Sequence, residues 1–161
     1  MSHPPRPSRE EIFAVEKPIV TQLRSVRFQE VDAAGTIYFP RVLEYFGDAY
    51  LEVLERSGLD VPTLLRERRW AAPLAHAEAD FVRPLFFGDR AHVDVALCVL
   101  GTTSATFGYR IRGEDGTVRS FGSTVHVFVD GKTFRPIAVP EALRAFVERA
   151  QGLTLREPNQ T

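Results

Sequence analysis

The sequence predicts an α+β domain in which an antiparallel sheet curls around one long helix. Three observations carry this reading. Residues 19–31 alternate as a strand does, residues 40–57 repeat apolar side chains at helical spacing, and residues 73–131 run strand after strand between turn signals. Strands in hairpin-like succession after a single apolar helix bury that helix against the face of their sheet.

Each element has its own local reason. Val20, Val26 and Phe28 share one side of the first strand at period two. Pro40 stands in the first turn of the helix, where a missing N–H costs nothing. Val42, Phe46, Ala49, Tyr50, Val53 and Leu54 follow at helical spacing, Leu43 and Tyr45 widen the apolar surface, and Gly58 closes the segment as a C-terminal cap. A helix this apolar is wrapped on more than one side. "LDVPTLLRERR" reads as a second, short helix with Asp60 as its cap. "PLAHAEADFVRP" leads to a turn at "FFGDR", and "AHVDVALCVL" alternates cleanly. "SATFGYRIR" sets Ala105, Phe107, Tyr109 and Ile111 on one face, "GEDG" signals a hairpin, and "SFGSTVHVFVDG" runs to a second Asp-Gly. An amphipathic helix at 140–150 completes a single domain over 18–150. Residues 1–17, with three prolines and mixed charge, read as a flexible N-terminal arm, and 151–161 as a flexible tail.

Composition narrows the function. The 161 residues are 44% hydrophobic and 25% charged, ordinary for a globular domain with a real core. A net charge of −1 leaves no basic excess to recruit nucleic acid or an anionic membrane. Cys98, the single cysteine, rules out an intramolecular disulfide and a cysteine-rich zinc site, and reads as a small buried hydrophobe. No apolar run approaches the ~20 residues of a membrane span, and the N-terminus lacks a signal-peptide core, so a cytoplasmic setting is expected. No cofactor is expected, and no His/Asp/Glu grouping has metal-ligand spacing.

The stretch "EVDAAGTIYFPRVLEYFGDAY" holds the chemistry. Asp32 sits among small residues just ahead of the helix. A helix beginning near Phe39 or Pro40 leaves its first N–H groups unpaired and partly positive. Proline donates nothing, so the N–H groups of Tyr38, Phe39 and Arg41 are those expected to point outward. Such a terminus can hold an oxyanion, Gly35 allows positive φ or close approach to a ligand, and Asp32 could lie within a few ångströms. An acid beside an oxyanion hole suits acyl transfer, by a covalent anhydride or by activated water. Asp in a strand-to-helix loop is equally the ordinary choice for a turn or cap, and spacing alone does not decide between the two.

"DAAGTIYFPRVLEYFGDA" resembles the signature of the hot-dog-fold thioesterases of the 4-hydroxybenzoyl-CoA thioesterase family. "ADFVRPLFFGD" and "RPIAVPEALRAF" extend the resemblance over roughly residues 20–147. It implies an antiparallel five- to six-stranded sheet wrapped around the central helix, dimers with sites at the interface, and often tetramers. By the same resemblance Asp32 matches the catalytic carboxylate, Phe39 the residue whose N–H polarises the thioester carbonyl, and Gly35 the loop glycine. The implied activity is hydrolysis of a fatty or aromatic acyl-CoA. Where family members carry a basic cluster for the CoA phosphates, this chain reads "LGTTSATF". Either Arg83, Arg110, Arg112 or Arg119 receives the phosphates, or the acyl group arrives on an acyl carrier protein. Pro40 stands where the Tol–Pal-linked branch has a histidine, which favours the hydroxybenzoyl-type branch.

Other residues carry weaker signals. Glu44, Asp48, Glu52 and Glu55 form an acidic stripe, read as a solvated or interface face, although a helix glutamate assists catalysis in another hot-dog clade. His76 reads as a strand histidine which, by the resemblance, could contact substrate or bond Asp32. His92 and His126 alternate with polar residues and have no role. Tyr38 and Trp70 are reasonable walls for a planar or long apolar acyl group. No G-x-S-x-G is present, which removes a serine hydrolase. A hot-dog dehydratase would need a histidine in 30–58, where none occurs. A non-catalytic acyl-thioester-binding domain is the remaining alternative.

Overall fold

The computed structural model describes residues 4–152. Its elements in chain order are α1 (Arg9–Ala14), β1 (Val20–Ser25), a 3₁₀ turn (Phe28–Glu30), α2 (Pro40–Arg56) and α3 (Val61–Glu67). There follow β2 (Trp70–Ala71), β3 (Leu74–Phe81), β4 (Arg90–Leu100), β5 (Ser104–Gly113), β6 (Val118–Val127), β7 (Val129–Asp130) and α4 (Glu141–Ala150). One five-stranded antiparallel sheet, ordered β1-β4-β5-β6-β3, wraps α2 in a hot-dog fold, and β2 pairs with β7 in a small ribbon beside it.

The apolar stripe of α2 decides how it lies. Val42, Tyr45, Phe46, Ala49, Tyr50, Val53 and Leu54 are all buried against the sheet, while Leu43 is 38% exposed. Phe46 stacks on Tyr109 with centroids 4.6 Å apart. It also lies over Gly122, where an added Cβ would fall 2.1 Å from the Glu78 carbonyl and 2.9 Å from the Phe46 ring. Only a residue without a side chain lets helix and sheet close to this distance. The short second helix is α3, with Asp60 accepting from the Thr63 N–H.

The strand succession is only partly hairpin-like. β4, β5 and β6 are neighbours, but β3 pairs with β6 at the far edge and β4 lies between β1 and β5. Residues 82–89 therefore cross the end of the sheet. Buried Leu85 pins the crossover, and its carbonyl accepts from the Ile37 N–H at 2.8 Å. The strand expected through residue 31 stops at Ser25, because Val26 exchanges its backbone bonds with Asp89 and Gly88 of the crossover, at 2.9 Å each. Phe28 turns outward, 75% exposed.

Within the segment read as an arm, residues 9–14 form α1, started by a Ser8–Glu11 capping box. Ile12 is buried against Ala96 and Phe121 on the sheet's outer face. Arg110 donates to the Ile12 and Phe13 carbonyls at 3.2 Å and to buried Asp94 at 2.7 Å, and Arg112 holds the same carboxylate at 2.6 Å. Of the tail read from residue 151, residues 153–161 lie outside the described residues, and the Gln151 side chain pairs with the Cys98 backbone. Among the described residues no helix is long and apolar enough to cross a membrane.

Two glycine substitutions test this packing. Gly122→Ala should lower the free energy of urea unfolding by about 2 kcal/mol or more, because strand and helix must both move. Gly47→Ala, in open space on the exposed side of α2, should raise it by roughly 0.5–1 kcal/mol. Equal effects would mean that the close approach at Gly122 does not constrain the fold.

Candidate active site

The Asp32 loop is a tight reversal. Val31 and Ile37 bridge antiparallel, the Gly35 N–H donates to the Asp32 carbonyl at 2.9 Å, and the Asp32 N–H donates to the Thr36 carbonyl at 2.9 Å. Gly35 adopts φ +77°, the left-handed step that closes a turn of this kind. Asp32 is exposed, and its Oδ1 accepts from the Ala34 N–H at 2.8 Å. Its Oδ2 has no hydrogen-bond partner among the described residues. The carboxylate is thus anchored by one oxygen and free at the other.

The helix start is narrower than the sequence suggests. The Tyr38 N–H donates to the Glu30 carbonyl and the Arg41 N–H to the Tyr38 carbonyl, both at 2.8 Å. Neither is available to a ligand. That leaves the Phe39 N–H as the amide without an acceptor among the described residues. Asp32 and Phe39 line one cavity of about 380 Å³ together with Thr36, Ile37, Phe81, Val82, Arg83, Pro84 and Ser120. A free carboxylate oxygen and a free amide on one cavity can serve as base or nucleophile and as oxyanion donor.

Glu30 holds this arrangement. It is 1% exposed and accepts from the Arg27 N–H, the Arg27 guanidinium and the Tyr45 hydroxyl, each at 2.8 Å. Burial alone would raise its pKa, but the bonds from Arg27 and Tyr45 outweigh it and hold the carboxyl down at about 2. The same environment, burial first and then the bond to Glu30, pushes the Tyr45 hydroxyl up. Sequence reading passed Glu30 over, although an acid in phase with Val26 and Phe28 on the side expected to be buried is a detectable signal.

The remaining expected residues are dispersed. Tyr38 packs edge-on to the Phe39 ring, 46% exposed, and does not line the cavity. Trp70 lies in the β2–β7 ribbon against Phe128, away from the loop. His76 on β3 bonds Glu78 at 3.2 Å and Arg6 at 2.8 Å, not Asp32. His126 does not point outward: it is buried, stacked on Tyr50 at 4.0 Å, and burial lowers its pKa. Three of the four acids of the α2 stripe form ion pairs, Glu44 with Arg41, Asp48 with Arg24 and Glu52 with Arg56. Among the described residues no three His, Cys, Asp or Glu side chains meet as a metal site would require.

The chain matches the thioesterase-like superfamily over residues 26–147, a stretch that includes every cavity residue and excludes α1. It is 29% identical over 131 residues to the 1,4-dihydroxy-2-naphthoyl-CoA hydrolase of Rippkaea orientalis, covering 80% of this chain and 95% of that one. The hydrolase of the same name from Nostoc punctiforme is 31% identical over 128 residues, covering 80% and 86%. Among solved structures, the 1,4-dihydroxy-2-naphthoyl-CoA thioesterase from Synechocystis superposes with a TM-score of 0.74 at 25% identity, covering 79% of this chain and 93% of that one.

Glu30 makes the fold acid-sensitive in a defined window. Its folded pKa lies below the ordinary 4.5, so the stability it adds is complete above pH 4.5 and is lost as pH falls towards about 2. The shift corresponds to roughly 3 kcal/mol at neutral pH. Glu30→Gln should therefore be less stable at neutral pH and show a shallower loss through that window, measured by urea unfolding. Parallel pH slopes for the two proteins would remove Glu30 from this role.

Proposed function

The chain belongs to the thioesterase-like superfamily and is an acyl-CoA thioesterase, and on that premise we propose that Asp32 and the Phe39 amide carry out the hydrolysis. The observation behind the assignment is the cavity that both residues line, one supplying a carboxylate oxygen and the other an N–H without an acceptor among the described residues. With the thioester carbonyl oxygen facing the Phe39 N–H, charge developing on that oxygen meets a fixed donor at the positive end of α2. Asp32 Oδ2 either takes a proton from the attacking water or attacks the carbonyl carbon itself. In the first route water oxygen bonds to carbon, the C–S bond breaks, and the Asp32 proton passes to the leaving thiolate. In the second the C–S bond breaks to leave a mixed anhydride, which water opens. The relatives named above act on CoA esters of a hydroxylated aromatic acid, which favours CoA over a carrier protein and an aromatic acyl group over a fatty one.

A second copy completes the picture. Among the described residues β3 pairs only with β6, so its outer edge carries open N–H and C=O groups, and Phe81 beside the cavity is 53% exposed. Edge-to-edge pairing in a homodimer covers that strand and closes the cavity wall.

Thiol release from benzoyl-, phenylacetyl-, dihydroxynaphthoyl- and straight-chain acyl-CoA tests the assignment. Asp32→Asn should lose about 10²-fold or more in kcat with its fold intact. Comparable release by the variant would dismiss Asp32, and tight binding without release by the native protein would favour an acyl-thioester sensor. In a single turnover in ¹⁸O water, label entering the Asp32 carboxylate marks the anhydride route.

A further inference from the structure

Arg83 lines the cavity, and the hydrolytic step does not use it. Val82 and Arg83 both donate their backbone N–H to the Arg119 carbonyl, at 2.8 and 3.0 Å, and Pro84 follows, so the backbone from which the Arg83 side chain leaves is fixed. Arg83 is exposed, its charge is near enough to Asp115 to help lower that carboxyl's pKa, and its guanidinium makes no hydrogen bond or ion pair among the described residues. The other arginines available as anion receptors are committed: Arg110 and Arg112 to Asp94, and Arg119 to Asp115 at 2.9 Å. Asp32 lines the same cavity, and the two do not pair.

We propose that Arg83 sets acyl-group specificity by binding an oxygen substituent of an aromatic acyl group, a ring hydroxyl or phenolate, while Asp32 works on the thioester; this rests on the thioesterase reading above. The length of the pantetheine arm favours the acyl end over the CoA end. The whole arm separates the thioester from the nucleotide phosphates. Asp32 and Arg83 line one pocket, so a carbonyl held at Asp32 brings the attached acyl group towards Arg83. Ile37, Phe39, Phe81, Val82 and Pro84 supply flat apolar walls for a ring, and a planar guanidinium suits a bidentate oxygen partner at its rim. A site built around a polar partner discriminates strongly against the analogue that lacks it, because its own polar group is then left unpaired.

The test compares the native protein with Arg83→Met and Arg83→Lys on benzoyl-CoA, ring-hydroxylated benzoyl-CoA esters, and the pantetheine thioesters of the same acids. Arg83→Met should cut kcat/KM for the best hydroxylated ester about 10- to 100-fold more than for benzoyl-CoA, with equal selectivity loss on the pantetheine esters. Arg83→Lys should recover part of the preference. Equal losses on hydroxylated and plain rings would overturn the proposal, and a loss that vanishes without the nucleotide would assign Arg83 to phosphate instead. Equilibrium binding of non-hydrolysable phenacyl-CoA thioethers, with and without a ring hydroxyl, reads the same preference without turnover. If the native protein cleaves nothing, the thioesterase reading fails, while a hydroxyl preference in binding that Arg83→Met abolishes still upholds Arg83 and its absence overturns it.

Discussion

A carboxylate without water has to be satisfied by protein, and Glu30 is such a carboxylate. Its three donors come from Arg27 on one side and from Tyr45, a turn inside α2, on the other. Its backbone carbonyl takes the Tyr38 N–H as well. Both ends of the Asp32 loop are therefore tied to one residue, and that residue is tied to the helix whose start forms half of the site. Pulling the loop away would strand a buried charge, a cost far above that of losing an exposed bond. A run of small residues that would otherwise wander is held by a charge outside the cavity.

The order of the sheet does the rest. Because β3 lies at the edge and β4 second from the opposite edge, the segment between them has to pass the end of the sheet. It passes where α2 begins. There it bonds to the loop through Thr36–Phe86 and Ile37–Leu85, and it delivers Val82, Arg83 and Pro84 to the cavity. Asp32 comes from the loop, Phe39 from the helix start, and Val82, Arg83 and Pro84 from the crossover. Hairpin succession throughout would have placed the two segments apart, so the departure from the simplest strand order is what makes a cavity there.

The helix and most strands were legible because their signals are local. Apolar spacing marked α2, and Asp-Gly and Gly turns marked the β5–β6 hairpin. Asp32 and Phe39 were legible through the loop motif, and the structure puts them on one cavity. What escaped was non-local. The β3-to-β4 crossover depends on which strand pairs with which, and no turn residue encodes that. Tyr38 and Arg41 lose their amides to carbonyls, one of them eight residues upstream at Glu30, that helix-cap rules do not reveal. His126 looked outward by alternation, but a buried histidine bonded to the Ala72 carbonyl satisfies its polarity inside. Trp70 lies in the ribbon and His76 on the edge strand, and neither lines the cavity of the same chain.

Charge placement inside the molecule follows one rule. Inside, each charge is answered: Glu30 by Arg27 and Tyr45, Asp94 by Thr21, Arg110 and Arg112. Burial would raise the Asp94 pKa, and the bonds from Arg112, Arg110 and Thr21 reverse that and lower it. On the helix surface Glu44, Asp48 and Glu52 find arginines as well. Asp32 and Arg83, both exposed, line one cavity without pairing with each other. Two exposed charges that do not pair add little to stability. Their separation is intelligible if a third body, with one polar end for each, completes the set.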